Sequence, residues 1–264
     1  MANDNITMRR AVYEMPGMER VSVRKDVVYR RTDAGPLSMD LHALPGTEPR
    51  AAVVLVEGYN DVGFEKVFGN RFKETRMVVS WAELIAASGL VAVTYTNREP
   101  AADLEALLEH IRKHALALGI DRDRIGIWAT SGHVPVALSA ILTRDRAWIR
   151  CAALLYGYML DLGGATGVAE AAATFRFANP NGGKSLDDLP ETVPLFLVRA
   201  GLEQFPDLND SIDRFFAKAL ALNRPVTLIN HAAGPHAFDL LDDSETSRRI
   251  IRQVLDFLTS RLAS

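Results

Sequence analysis

Cysteine is nearly absent from this chain. Cys151 is the single one in 264 residues, so no disulfide can form within it. Charge of either sign is not in excess: 30 Lys and Arg stand against 33 Asp and Glu, a formal net charge of -3, which leaves no electrostatic footprint for nucleic acid or anionic lipid. No apolar run approaches the roughly 18 residues that a membrane-crossing helix requires. The first five residues, Met1-Ala2-Asn3-Asp4-Asn5, are polar and hold no apolar signal core, so the expected compartment is the cytoplasm. There is no Pro/Gly/Ser-rich linker and no internal repeat. Neither G-x-G-x-x-G nor G-K-[ST] follows the strand that ends near Val56, so no dinucleotide or phosphate loop is indicated and no cofactor is expected. His110 and His114 are four residues apart, but no third ligand stands near them. They read as a solvated helix face rather than a metal site.

What is present is an alternation of short apolar runs with helical periods. Residues 21–44 alternate apolar and polar around Asp33-Ala34-Gly35-Pro36 and predict an antiparallel hairpin at a sheet edge. Continuous apolar runs at 51–56, 90–95, 124–129, 152–156, 194–199 and 225–229 predict strands covered on both faces. Between them, 78–88, 101–118, 134–142, 211–222 and 244–262 carry helical periodicity; Leu104, Leu107, Leu108, Ile111 and Ala115 form the clearest stripe. The pattern predicts one α/β domain over residues 1–264, with a mostly parallel central sheet and helices on both faces. Residues 162–191 break the rhythm, and a short helix plus loop lying over a site, a small lid, is expected there. Cys151, Trp81 and Trp128 read as core. Oligomeric state is open; a homodimer through an edge strand or the lid is compatible with the pattern.

In an open sheet of this kind, residues that follow the strands' C-terminal ends converge on one edge. Ser131 follows the strand ending at Ala129, within Ala129-Thr130-Ser131-Gly132-His133. A serine on a tight strand-to-helix turn projects its hydroxyl while the next amide points at a developing oxyanion; the alternative is a serine that merely caps the helix. Arg199-Ala200-Gly201-Leu202-Glu203 brings an acid to the same edge, with Asp207 as a second choice. The loop Gly234-Pro235-His236-Ala237-Phe238-Asp239 brings a histidine, with His231 and His133 as competitors. Serine, acid and histidine occur in that order.

On these three segments the chain resembles the α/β-hydrolase superfamily, most closely its dienelactone hydrolase-like and small carboxylesterase branches. The resemblance spans residues 21–262. It implies the α/β-hydrolase fold and a serine esterase acting on small carboxylic esters: Ser131 as nucleophile, His236 as general base and acid, and Glu203 as the orienting carboxylate, with no cofactor or metal. Lactone hydrolase, thioesterase and peptidase chemistry on the same fold are alternatives, as is a non-catalytic ligand-binding protein. The oxyanion donors it implies are backbone amides, Gly132 with Tyr59 or Gly58. Glu57 resembles the glutamate that the dienelactone hydrolase branch places beside its nucleophile; a loop-stabilising hydrogen bond is the plainer reading. Glu57, Asn60, His133, Tyr156, Tyr158, Met159 and Phe238 are the candidates for substrate contact. Two positions depart from the family's pattern: Ala129 at the elbow's first glycine, and His133 where a glycine lets helix and strand approach closely.

Overall fold

The computed structural model describes residues 5–143 and 146–263; residues 1–4, on which most of the polar N-terminal reading rests, lie outside the described part. The N-terminal hairpin forms as β1 (Ser22–Thr32) and β2 (Gly35–Ala43). Six further strands follow: β3 (Arg50–Leu55), β4 (Val91–Tyr95), β5 (Ile120–Thr130), β6 (Ile149–Leu155), β7 (Leu195–Leu202) and β8 (Val226–Pro235). They make one eight-stranded sheet in the order β1-β2-β4-β3-β5-β6-β7-β8. β2 runs antiparallel to both neighbours, and every pairing from β4 onward is parallel. Val53, Val54, Val93, Ile127, Leu154 and Val198 are fully buried, as strands covered on both faces must be.

Among the described residues, eight α-helices flank the sheet. They are α1 (Asp61–Phe68), α2 (Arg76–Ala87), α3 (Pro100–Leu118), α4 (Val134–Ile141), α5 (Gly167–Phe175), α6 (Leu208–Ala221), the single turn α7 (Phe238–Leu241) and α8 (Glu245–Leu262). Two separate apolar clusters show that both faces are packed. α3, α4 and α6 cover one through Leu104, Leu107, Val136, Leu138, Ile212 and Phe215; α2 and α8 cover the other through Trp81, Leu84, Ile250, Val254 and Leu258. Trp81 and Trp128 meet in the second cluster with ring centroids 4.8 Å apart, and Cys151 is buried there with its thiol pushed up to about 12 by loss of solvent.

Three local features depart from the sequence pattern. Asp121-Arg122-Asp123-Arg124, a charged segment leading into the apolar run at 124–129, is drawn into β5 at a register irregularity between Arg50 and Ala52 of β3, with Arg124 Nε 2.7 Å from Asp121 Oδ2. α1 was hidden because its stripe is short, yet it is capped at both ends: Asn60 Oδ1 accepts the Gly63 amide, and Gly69 closes it in the left-handed conformation. The hairpin is tied to the body by Lys73, 3% exposed, which donates to Asp40 at 2.8 Å and to Asp26 at 2.9 Å.

Candidate active site

β5 ends at Thr130, and Ser131 turns the chain with φ = +51° before a single 3₁₀ turn leads into α4. A non-glycine residue held at positive φ is strained, and strain at a strand-to-helix turn is what makes a serine hydroxyl project. Ser131 Oγ lies 2.9 Å from His236 Nε2, and His236 Nδ1 lies 2.6 Å from Glu203 Oε2. The three side chains come from the ends of β5, β7 and β8. With Nδ1–H donating to Glu203, Nε2 is left as an acceptor for the serine proton.

The carboxylate is built in. Glu203 has 1% side-chain exposure, and its Oε1 accepts the Gln204 and Phe205 amides at 2.9 Å each. Burial alone would raise its pKa. The hydrogen bond and charge of His236, with those two amides, outweigh it and hold the group below its ordinary value. Asp207, the alternative acid, instead sits in a left-handed turn at the start of α6. The imidazole is flanked by two ring edges, Phe205 at 4.7 Å and Tyr156 at 5.0 Å. Behind it Asp239, fully buried, accepts from Tyr156 Oη at 2.5 Å and Trp81 Nε1 at 2.6 Å, while its carbonyl takes the Val12 amide. Asp239 thereby anchors the loop that carries His236. His231 is turned elsewhere, to Asp242 and Ser247.

Opposite the elbow, residues 57–60 leave β3 in a tightly determined course. The Glu57 amide donates to Tyr95 Oη, the Gly58 amide to His133 Nδ1 at 2.8 Å, the Gly58 carbonyl accepts from the Ala178 amide at 2.8 Å, and the Tyr59 carbonyl accepts from Asn97 Nδ2 at 3.0 Å. Gly58 has no room for a side chain: a Cβ would lie 2.3 Å from the Gly132 carbonyl oxygen. Of the three amides considered as oxyanion donors, Gly58's is therefore occupied. Those of Gly132 and Tyr59 have no acceptor among the described residues.

A cavity of about 570 Å³ opens over Ser131 and His236. Its walls are strongly aromatic: Phe64 and Phe68 from α1, Phe175 at the end of α5 with Phe177 just beyond it, and Tyr156 and Tyr158 after β6. Within residues 162–191, α5 carries Phe175 to the cavity, and Arg176 and Phe177 follow it there. Of the expected contacts, Asn60, His133, Tyr156 and Tyr158 line the cavity, although Asn60 Oδ1 is engaged as the α1 cap. Met159 and Phe238 do not; both are wholly buried, Met159 beneath α6 with its amide on Ser211 and Phe238 packed against Tyr156 and His231. Glu57 is also outside the cavity. It is fully buried beside Asn97 and Asp61; burial, reinforced by the Asp61 charge and only partly offset by Asn97, raises its pKa well above the usual range.

Several site residues gave no sequence signal. Phe205, Phe177 and Asn97 are brought in by loops and Phe175 by the end of α5, while Asp239 was visible in the histidine loop but had no partner assigned. Among the described residues no group of three or more His, Cys, Asp or Glu could hold a metal ion, and no helix is long and apolar enough to cross a membrane.

The eight-stranded, mainly parallel sheet with a strained serine elbow after its fifth strand has the α/β-hydrolase fold. The chain is structurally similar to a bacterial heroin esterase (TM-score 0.70, 16% identity, covering 96% of this chain and 88% of that one). It is likewise similar to an esterase from the fungus Rhizomucor miehei (TM-score 0.71, 15% identity, 92% and 84%) and to brefeldin A esterase, a bacterial homologue of human hormone-sensitive lipase (TM-score 0.69, 15% identity, 98% and 82%). No protein-family model matches the sequence, and no curated protein does.

Proposed function

We propose that this protein is a serine hydrolase of small carboxylic esters, with the described residues forming one catalytic domain and residues 162–191 acting as its lid. The observation that carries the reading is the unbroken chain Ser131 Oγ, His236 Nε2, His236 Nδ1, Glu203 Oε2, at 2.9 and 2.6 Å, on a serine held at positive φ. The esterase names of the structural neighbours agree with it.

Ser131 Oγ attacks the ester carbonyl carbon as its proton passes to His236 Nε2. The carbonyl electron pair moves onto oxygen, facing the Gly132 and Tyr59 amides. Collapse expels the alkoxide, which takes the proton from His236, and leaves acyl-Ser131. Water then repeats the sequence, giving its proton to His236 and releasing the acid. Glu203 keeps the imidazole in the required tautomer and offsets its charge while it is protonated. Every group these steps use is a side chain or a backbone amide of this chain.

The aromatic cavity suits an apolar acyl or alcohol portion. Lactones and thioesters undergo the same acyl transfer and belong in the same assay. The dienelactone hydrolase-like placement rests on the Gly234-Pro235-His236-Ala237-Phe238 loop. The buried thiol of Cys151 suits a reducing cytoplasm. The deciding experiment pairs p-nitrophenyl esters of increasing chain length with fluorophosphonate labelling mapped by mass spectrometry. Expected are turnover, a label on Ser131, and a loss of kcat of about 10⁴-fold or more in Ser131→Ala. Turnover unchanged in Ser131→Ala, or no turnover of any ester, lactone or thioester by the wild type, overturns the reading.

A further inference from the structure

We infer that His133 positions the oxyanion hole: by accepting the Gly58 amide on Nδ1 it withdraws that donor and sets the loop so that the Tyr59 N–H faces the reacting carbonyl. This rests on the ester-hydrolase reading above.

The family's pattern has glycine at this place, which offers no acceptor. Here an imidazole fills the junction between the elbow and the loop after β3, and its Nδ1 lies 2.8 Å from the Gly58 nitrogen. The ring is not free to turn away. It is 5% exposed, lies against Phe72 with centroids 4.3 Å apart and an interplanar angle of 32°, and meets Tyr59 edge-on at 5.2 Å. Nδ1 can accept only when unprotonated, and burial pushes the His133 pKa down to about 3, so the neutral ring carries its proton on Nε2 at any working pH.

The consequence follows from peptide geometry. In a trans peptide the C=O and the next N–H point in opposite directions. The Gly58 carbonyl points to the Ala178 amide, so the Tyr59 N–H points away from that segment. His133 fixes the peptide plane before it, and Asn97 Nδ2 on the Tyr59 carbonyl fixes the plane after it. The Tyr59 amide is left as the unengaged donor of a loop otherwise bonded on every side. His133 is thus a positioning residue that acts through Gly58 on Tyr59.

Three variants separate the acceptor from the ring. His133→Asn keeps an acceptor oxygen near the Nδ1 position; His133→Phe keeps a stacking ring without an acceptor; His133→Ala removes both. An oxyanion donor contributes about 10²- to 10³-fold to kcat, and a misplaced one forfeits part of that. His133→Phe and His133→Ala are expected to lose about 10- to 100-fold in kcat with KM within about threefold, and His133→Asn to recover most of the loss. Affinity for a trifluoromethyl ketone, whose tetrahedral adduct needs the same donors, should fall in step with kcat/KM. Wild-type kcat in His133→Phe, a His133→Asn as impaired as His133→Phe, or unaltered ketone affinity across the series overturns the inference.

A second measurement does not depend on turnover or on the variants folding. Long-range ¹H–¹⁵N spectra of the wild type should show His133 protonated on Nε2 alone from pH 5 to 9; a proton on Nδ1 overturns the inference. Absence of ester turnover by the wild type, by contrast, defeats the hydrolase reading and leaves the tautomer result standing.

Discussion

At the residue scale, the two candidate acids show how a shared neighbourhood resolves into one partner. Glu203 and Asp207 are four positions apart after the same strand, and their order in the chain does not distinguish them. Glu203 is buried and aimed at His236, whereas Asp207 adopts φ = +58° at the start of α6. Glu203→Gln should lower kcat by about 10³- to 10⁴-fold because the imidazole loses its orienting acceptor, while Asp207→Asn should change it by less than about threefold. Parallel steady-state kinetics of the two variants decide it; equal losses would show that the acid has been assigned to the wrong side chain. Ser131 and His236 were legible because an elbow and a histidine loop have local signatures. Asp239 was legible only as a letter, since its partners Trp81 and Tyr156 lie 158 and 83 residues away.

At the element scale, the β-strands and the long helices could be read from periodicity, and they form where the apolar runs and stripes stand. α3 carries its stripe as expected, with Leu104, Leu107, Leu108 and Ile111 at 0–1% exposure. α1 and the course of residues 57–60 could not, because caps and side-chain acceptors rather than periodicity hold them. Gly58 is the point at which these elements touch. Gly58→Ala places a Cβ 2.3 Å from the Gly132 oxygen and 2.7 Å from the His133 Cα, both backbone atoms that cannot swing aside. The substitution should cost about 1–3 kcal/mol in stability, as overpacking does, and lower kcat at least about tenfold by parting the elbow from the loop. Denaturation with urea alongside kinetics tests both halves.

Phe175, Arg176 and Phe177, within residues 162–191, line the cavity. Phe177 stacks on Tyr158 with centroids 5.2 Å apart, and Phe175 meets Phe205 edge-on at the same distance. Removing the rings enlarges the cavity without touching Ser131, His236 or Glu203. Phe175→Ala and Phe177→Ala should therefore shift the preferred p-nitrophenyl ester towards longer or bulkier acyl chains, with kcat/KM for the best substrate of the wild type falling about 10-fold. A chain-length profile superimposable on the wild type's would show that this wall does not meet the substrate.

At the scale of the whole molecule, two glutamates on either side of the elbow couple folding to pH with opposite signs. Glu203 is held below its ordinary pKa, so its contribution to stability is present above the unfolded value and is lost as pH falls through the folded one. Glu57 is held well above, by burial first and by Asp61 next, so the folded protein binds a proton that the unfolded chain has released. Stability is then lost as pH rises above the ordinary glutamate range. Asp61, raised to about 6 chiefly by burial, pulls in the same direction. Glu57→Gln keeps the shape of the side chain but never ionises. It should match or exceed wild-type stability at pH 5 and exceed it by a wider margin at pH 8, read from urea midpoints at the two values; a constant difference would mean that Glu57 does not stay protonated in the fold.

The sequence by itself determined the α/β layering, the position of the hairpin at the sheet edge, and the placing of a serine, an acidic segment and a histidine loop together at the sheet's C-terminal edge. Each of these depends on local periodicity or on a short motif whose geometry is set within a few residues. Tertiary structure alone decided which carboxylate faces the imidazole, which amide remains unengaged opposite the elbow, and what His133 does in the place of a glycine. Those outcomes depend on hydrogen bonds between groups far apart in the chain, Gly58 with His133 across 75 residues and the Gly58 carbonyl with the Ala178 amide. Pairings of that kind leave no periodic trace, because they are selected only when the packed sheet brings the loops together.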